Sequence, residues 1–513
     1  MRHPLCVCPK IEKSNNQIKL KTDMDNNLKA FYSHYLKPAL VWKHFAEICN
    51  IPHPSHSEEK IRQYLVDFAV EKGIEHKVDD AGNVYMCKAA TPGMEDRKGI
   101  VLQAHMDMVP QKNNDKEFDF INDPIEAYID GEWVTANGTT LGADNGIGVA
   151  AILAVMEDDT IEHGPIEGLI TATEETGMDG AFGLKGGLLK GEILLNLDSE
   201  TEGELYVGCA GGMDANVTLP YEAVAAPEGK ALCISVKGCK GGHSGIQIIC
   251  QRANANKLLF RLLRLIAKEC DMALCSVDGG GLRNAIPREA TATIIVPADA
   301  EAKVVAMVEA FEKIVIAEFT DIEDSISIKA EATTAPAETM PKCAAERLMA
   351  AVVACPDGVA KMSVAMEGLV QTSNNLARVV SDGKQVKMQS LMRSSSRSEK
   401  EALGDSIKAV FELAGAEVEL TGSYDGWNPN MKSPILKAML ESYEALYGKS
   451  PAVMAIHAGL ECGIIGTNYP EMDMISFGPT ICYPHSPDEK VEIASVEKFY
   501  DFLLHTLKNA PKK

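Results

Sequence analysis

Several short stretches of this chain carry side chains that bind hard or borderline metal ions. AHMDMV offers His105 and Asp107, LGADNGIG offers Asp144, and TATEETG offers the adjacent acids Glu174 and Glu175. LNLDSE adds Asp198, and GPTICYPHSPDE, far along the chain, adds His485. Two neighbouring carboxylates repel each other unless a cation faces them. A charge count suggests which. Two Zn²⁺ ions are balanced by the carboxylates of Asp144, Glu175 and Asp198 with one hydroxide, leaving one imidazole per ion from His105 and His485. Two metals about 3.5–4 Å apart, bridged by a carboxylate and a water, are a known device for hydrolysis. Asp144, on a glycine-flanked turn, is the candidate bridge. Residues i and i+2 of a strand share a face, so Asp107 can stand behind His105 and hold its imidazole in one tautomer. Neighbours i and i+1 tend to point apart, so Glu175 can ligate while Glu174 faces the bridging water as general base. The bland reading of GADNGIGVAAI is a helix N-terminus with packing glycines. A dinucleotide phosphate loop ranks low, because no βαβ start precedes it and an acid stands where phosphate would approach.

These residues need a scaffold. SHSEEKIRQYLVDFAVEKG has capping-box spacing at Ser55 and Glu58 and then apolar residues at helical intervals. HKVDDAGNVYMCKA reads as a hairpin, GIVLQAHMDMV as a strand, and NGIGVAAILAVMED as an apolar helix. GLITATEE and GEILLNLDSE read as further strands ending in acids. Alternating strands and helices predict an α/β fold, a mixed sheet with helices on both faces, whose ligands gather beyond the carboxyl ends of the strands. From about Gly212 the texture changes. Two strand–helix–strand sets, one around ANKLLFRLLRLIAKEC and one around EKEALGDSIKAVFELAG, predict an inserted α+β lid of two similar halves. After Trp427 the first texture returns. The expected organisation is a frayed extension at 1–25, a discontinuous catalytic domain at 26–211 and 425–513, and a lid at 212–424.

Composition narrows the function classes. Hydrophobic residues at 46% and charged residues at 24% suit a folded chain. A formal net charge of −23 argues against nucleic acid or an anionic membrane surface as partner. No apolar run reaches the roughly 18 residues a bilayer-spanning helix needs, and the first residues lack the apolar core of a signal peptide. The 14 cysteines are scattered, with no Cys-x-x-Cys pair, which suits a reducing cytoplasm.

In their order and spacing these stretches, together with HAGLECG, resemble the aminoacyl-histidine dipeptidases, also called Xaa-His or cytosol non-specific dipeptidases or peptidase D. These are co-catalytic dizinc exopeptidases. The resemblance covers nearly the whole chain from about Asp25. It implies one zinc on His105, Asp144 and Asp198 and a second on Asp144, Glu175 and His485, with Mn²⁺ or Co²⁺ as possible replacements. It further implies Glu174 as general base, Asp107 as the catalytic partner of His105, and a cis peptide bond at Asp144–Asn145. The inserted domain becomes a lid that also forms a homodimer. His243 of GGHSG resembles the histidine that stabilises the oxyanion, in some dimeric relatives from the other subunit. Asn284 of LRNAIP and Arg393 of LMRSSS resemble residues that grip the substrate carboxylate, and Gly459 of HAGLECG a backbone contact to substrate. The side chains suit these tasks: a glycine-flanked histidine can approach an oxyanion closely, and an arginine fork fits a carboxylate. The implied substrates are dipeptides with a free C-terminus, Xaa-His among them. An aminoacylase or tripeptidase of the same family and a catalytically silent binding homologue are the alternatives. His457 is assigned no ligand role, and His44, His163 and His505 are expected on the surface or on helix faces.

Overall fold

In a computed structural model, residues 36–513 are described; the expected extension at 1–25 lies outside them. The chain divides into two compact units, Met1–Val207 with Asn430–Met454 and Ile464–Lys513, and Gly208–Pro429 with Ala455–Gly463. The segment Ala455–Gly463, which the sequence placed with the catalytic part, therefore belongs to the second unit.

Among the described residues the first unit begins with helices α1 (Ala39–Cys49) and α2 (Glu59–Lys72) and the antiparallel hairpin β1 (Glu75–Val78) and β2 (Val84–Lys88). Strand β3 (Ile100–His105) is buried along its whole length. Helix α3 (Ala143–Glu157) is apolar all round, and almost every residue in it is buried, as such a pattern requires. Strand β4 (Ile166–Thr171), the short helix α4 (Glu174–Gly177) and strand β5 (Ile193–Asn196) follow. The sheet order is β1-β2-β4-β3-β5, then Asp473–Ser476. Strands β4, β3, β5 and Asp473–Ser476 run parallel, and β2 joins β4 antiparallel. Gly148 lets α3 lie against the sheet, since a Cβ there would stand 2.7 Å from the carbonyl oxygen of Leu197.

Two local expectations are corrected here. Ser55 and Glu58 form no capping box, because α2 begins at Glu59 without a side-chain cap. Nor are Glu174 and Glu175 the end of a strand. β4 stops at Thr171, Thr173 turns the backbone left-handed at φ 53°, and both acids lie in the first turn of α4.

The second unit contains β6 (Gly211–Pro220), β7 (Lys230–Lys237), α5 (Ala255–Glu269), β8 (Ala273–Gly280), β9 (Ala290–Val296), α6 (Glu301–Glu318) and β10 (Ser327–Ala332). It continues with α7 (Lys342–Ala354), β11 (Val370–Ser381), β12 (Gln385–Ser394), α8 (Arg397–Leu413) and β13 (Glu417–Tyr424). One sheet runs β10-β7-β9-β8-β11-β12-β6-β13. The two expected halves are visible as topology. β7-α5-β8-β9-α6-β10 and β6-α7-β11-β12-α8-β13 repeat one β-α-β-β-α-β pattern, with the same strand neighbours when the sheet is read from opposite ends. They join through β8 and β11, where Gly279 faces Val379. The second half starts with β6, upstream of the whole first half, so the copies are nested rather than consecutive. The helices bury their apolar stripes on the sheet; α5 contributes Leu258, Leu259, Phe260, Leu262, Leu263 and Ile266, and Asn254 caps its N-terminus.

Candidate metal centre

Because β4, β3 and β5 are parallel neighbours, their carboxyl ends lie side by side and deliver Glu175, His105 and Asp198 to one edge. A polar stripe supports that edge: Asn196 Nδ2 donates to Gln103 Oε1 at 2.6 Å, and Gln103 Nε2 donates to Thr171 Oγ1 at 3.2 Å. Asp144 enters from the start of α3, and His485 from the loop after Ile481–Cys482. The Asp144–Asn145 peptide is cis, as the resemblance implies.

The sequence-predicted ligands all meet. His105 Nε2 lies 3.2 Å from Asp144 Oδ1 and 3.3 Å from Asp198 Oδ1. His485 Nε2 lies 3.2 Å from Asp144 Oδ2 and 2.9 Å from Glu175 Oε2. Ligand atoms of His105, Asp144 and Glu175 fall within 4.8 Å of one another. Asp144 thus gives one oxygen to each of two histidine–carboxylate groups. Tetrahedral donors about 2.0 Å from a zinc ion stand roughly 3.3 Å apart, so these separations fit a divalent ion in each group.

The electrostatics of the cluster also call for cations. Burial pushes Glu175 and Asp198 above ordinary carboxylate values, with the Asp144 charge adding to it. Burial acts on Asp144 too, yet the imidazoles of His105 and His485 hold it well below the usual range. Hydrogen bonds to Asp144 and Glu175 push His485 up to about 11. Burial works against a proton on His105, but Asp198, Asp107 and Asp144 raise it well above its ordinary value. Even with both imidazoles protonated, the three carboxylates leave the cluster negative. Glu175 Oε1 is buried without a hydrogen-bond partner. A divalent ion answers both deficits, so the residues fit the metals that the donor set implies.

Asp107 stands beside His105 as expected, and its backbone shares the task of holding the ring. The carbonyl of Asp107, 3.0 Å from His105 Nδ1, makes the hydrogen bond that fixes the ring, while its carboxylate lies at 3.4 Å. That carboxylate accepts from Ser55 Oγ at 2.8 Å, Glu174 N at 2.9 Å and Glu175 N at 3.3 Å. One side chain therefore positions both acids of the pair. The adjacent Thr173 Oγ1 donates to the buried Glu58 Oε1 at 2.7 Å. Ser55 and Glu58, read from sequence as a helix cap, are instead the props of this turn.

Sequence reasoning missed three further residues. Glu489, which is buried, accepts four backbone N–H groups from Leu141, Gly142, Ala143 and Asp144 at 2.8–3.2 Å and so holds the turn that carries Asp144. Asn145 Nδ2 donates to Asp198 Oδ1 and, at 2.9 Å, to Leu197 O. Glu200 adds an acid that burial, then the Asp144 and Asp198 charges, push up to about 8. The only signal for Glu489 was an acid four residues past His485. Glu489→Gln is expected to weaken divalent-metal affinity by about 10–100-fold, as losses of ligand-orienting groups do, measured by competition with a chromophoric chelator. Affinity equal to the unaltered protein would contradict that role.

The remaining predicted residues lie in the second unit. His243 ends the two-residue strand Gly242–His243. Arg393, on β12, is buried with its Nε unpartnered. Asn284 borders an open cleft of ≈ 510 Å³ lined also by Asp214, Arg283, Gln389 and Tyr424. Gly459 follows Ala458, whose carbonyl accepts from Ala210 N at 2.9 Å. His457, left without a role, is buried, with Nε2 2.7 Å from Ser373 Oγ. His44 lies on a face of α1, as expected, but an inward one, and His163 is not a surface residue. Both are buried; His44 Nε2 meets Glu157 Oε2 at 2.8 Å and His163 Nδ1 meets Gly164 O at 2.7 Å.

The fold and the donor set define a class, the α/β metallohydrolases, with its donors beyond the carboxyl ends of parallel strands. More particularly, the chain belongs to peptidase family M20/M25/M40, whose model matches residues 101–509. It is 47% identical over 479 residues to the cytosol non-specific dipeptidase of Escherichia coli, covering 93% of this chain and 99% of that protein. The crystal structure of aminoacylhistidine dipeptidase from Vibrio alginolyticus superposes with a TM-score of 0.89 at 48% identity, covering 94% of this chain and 99% of that one. Aminopeptidase PepT from Bacillus cereus, at 15% identity and a TM-score of 0.56 over 92% of this chain and 99% of that one, shares the fold. Among the described residues no helix is long and apolar enough to cross a membrane.

Proposed function

We propose that this chain is a metallo-dipeptidase that hydrolyses dipeptides with a free C-terminus, Xaa-His among them, on two Zn²⁺ ions per subunit. The observation that carries the reading is the division of the Asp144 carboxylate between His105 and His485. His105, Asp144 and Asp198 would hold one ion, and Asp144, Glu175 and His485 the other. When bound, the ions supply Lewis acidity that polarises the scissile carbonyl and lowers the pKa of water. Glu174, fixed by the Asp107 carboxylate at its backbone N–H, takes the proton of the attacking water. The water oxygen bonds to the carbonyl carbon, and His243 donates a hydrogen bond to the oxyanion. Glu174 then passes the proton to the amine as the C–N bond breaks. Arg393 and Asn284 bind the substrate carboxylate, the arginine by its planar fork, and Gly459 contacts substrate through its backbone. A homodimer formed through the second unit and a cytoplasmic location complete the reading, supported by the family resemblance and the scattered cysteines.

The test is a panel of dipeptides, tripeptides and N-acyl amino acids, offered to protein stripped by chelator and reloaded with Zn²⁺, Mn²⁺ or Co²⁺. Dipeptides are expected to be cleaved fastest. Faster turnover of tripeptides or acyl amino acids would move the chain to another activity of its family.

Protons compete with metal at this site. Without an ion, His485 is held protonated at neutral pH by Asp144 and Glu175, so metal must displace that proton. Zinc affinity is therefore expected to rise with pH, by about tenfold per unit for each proton displaced. Calorimetry in buffers of different ionisation enthalpy reads the released protons, and binding without proton release would contradict the ligand set.

A further inference from the structure

His243 sits where the chain turns back on itself. Its strand, Gly242–His243, pairs with Ala285–Ile286, and the next residues fold over the ring. Gly245 N and Ile246 N each donate to His243 Nδ1 at 3.2 Å. The residue's own N–H is taken by Gln247 Oε1 at 2.8 Å, and Gln247 N returns to His243 O at 3.1 Å. A ring nitrogen that accepts two N–H groups has no room for a proton, so the proton of the neutral ring sits on Nε2.

We propose that the Gly245–Ile246 turn is a tautomer lock, a positioning element that presents His243 to the oxyanion as an Nε2–H donor. This rests on the oxyanion role given to His243 above. The lock matters because the wrong tautomer would offer a lone pair to a negative charge.

Two further observations support it. Gly245 has no space for a side chain: a Cβ there would stand 2.2 Å from the carbonyl oxygen of His457, 3.0 Å from His243 Cε1 and 3.2 Å from Arg393 Nε. The close approach that aims both amides at Nδ1 therefore needs glycine. It also gives His457 a place in the site, since its carbonyl backs the turn while Ser373 holds its ring. Second, the charged groups around the ring disfavour an imidazolium. Arg393 and His457 lie beside it. Burial first, and the Arg393 guanidinium second, hold His243 down to about 4. Both effects favour the neutral ring, so the donor keeps one form through neutral pH.

The experiment is ¹⁵N NMR of histidine-labelled full-length protein, with the His243 signals identified by their loss in His243→Gln. The lock predicts an unprotonated Nδ1 and a protonated Nε2 at every pH between about 5 and 9. Gly245→Ala should mix the tautomers and lower kcat at least about tenfold with KM within about twofold. His243→Gln, whose amide N–H can stand in for Nε2–H, should retain more activity than His243→Asn. An Nδ1–H form, or titration to the imidazolium near the ordinary value of about 6.5, would overturn the lock whatever the kinetics. Full kcat in His243→Ala would instead overturn the oxyanion role and with it the purpose of the lock, even if the NMR gave the expected tautomer.

Discussion

Glu174→Gln is expected to lower kcat for dipeptide hydrolysis by on the order of 10²–10⁴ while both ions stay bound. The neighbour that meets His485, and so the proposed ligand, is Glu175. The amide is nearly isosteric and keeps the backbone N–H that Asp107 accepts at 2.9 Å. The fold of the turn should survive, and only the proton acceptor disappears. Because the proposed mechanism has the same group return the proton to the leaving amine, both halves of the reaction should suffer and KM should change little. Metal content by mass spectrometry alongside steady-state kinetics checks this. A fully loaded Gln variant working near the wild-type rate would move the base elsewhere.

The second large effect is expected at Asp144. Each of its oxygens faces a different imidazole, at 3.2 Å in both cases. Asp144→Asn removes the charge shared by both groups, so both ions should be lost together, with affinity falling by more than the roughly 10–100-fold typical of groups that only orient a ligand. Glu175→Gln, by contrast, touches only the His485 side and should spare the His105 ion. Sequential chelator titration separates the two patterns. Equal loss in both variants would mean that Asp144 is not shared.

Much of this site was legible because three of the candidate ligands lie at or just beyond strands with recognisable apolar runs. His105 ends β3, Glu175 and Asp198 come shortly after β4 and β5, and parallel pairing brings these ends together. What stayed hidden depends on contacts between residues far apart in sequence. Glu489 finds the amides of Leu141 to Asp144 across more than 340 positions, and no local pattern encodes that meeting. Ser55 and Glu58 carried a local signal that misled: their oxygens are taken by Asp107 and Thr173 instead of by the amides of α2. The acids at 174 and 175 looked like a strand end because an apolar run precedes them, while the left-handed turn at Thr173 leaves no mark in residue type. In the second unit the halves were legible as repeated strand–helix–strand texture. Their nesting was not, since β6 joins β12 and β13 only through long-range pairing.

The most direct test of the shared-carboxylate claim is anomalous diffraction at the zinc edge from crystals of the chelator-stripped, zinc-reloaded protein. Two peaks per chain are predicted, one between His105 and Asp198 and one between His485 and Glu175, with the Asp144 carboxylate joining them. A single peak, or two peaks that do not both contact Asp144, would contradict the account.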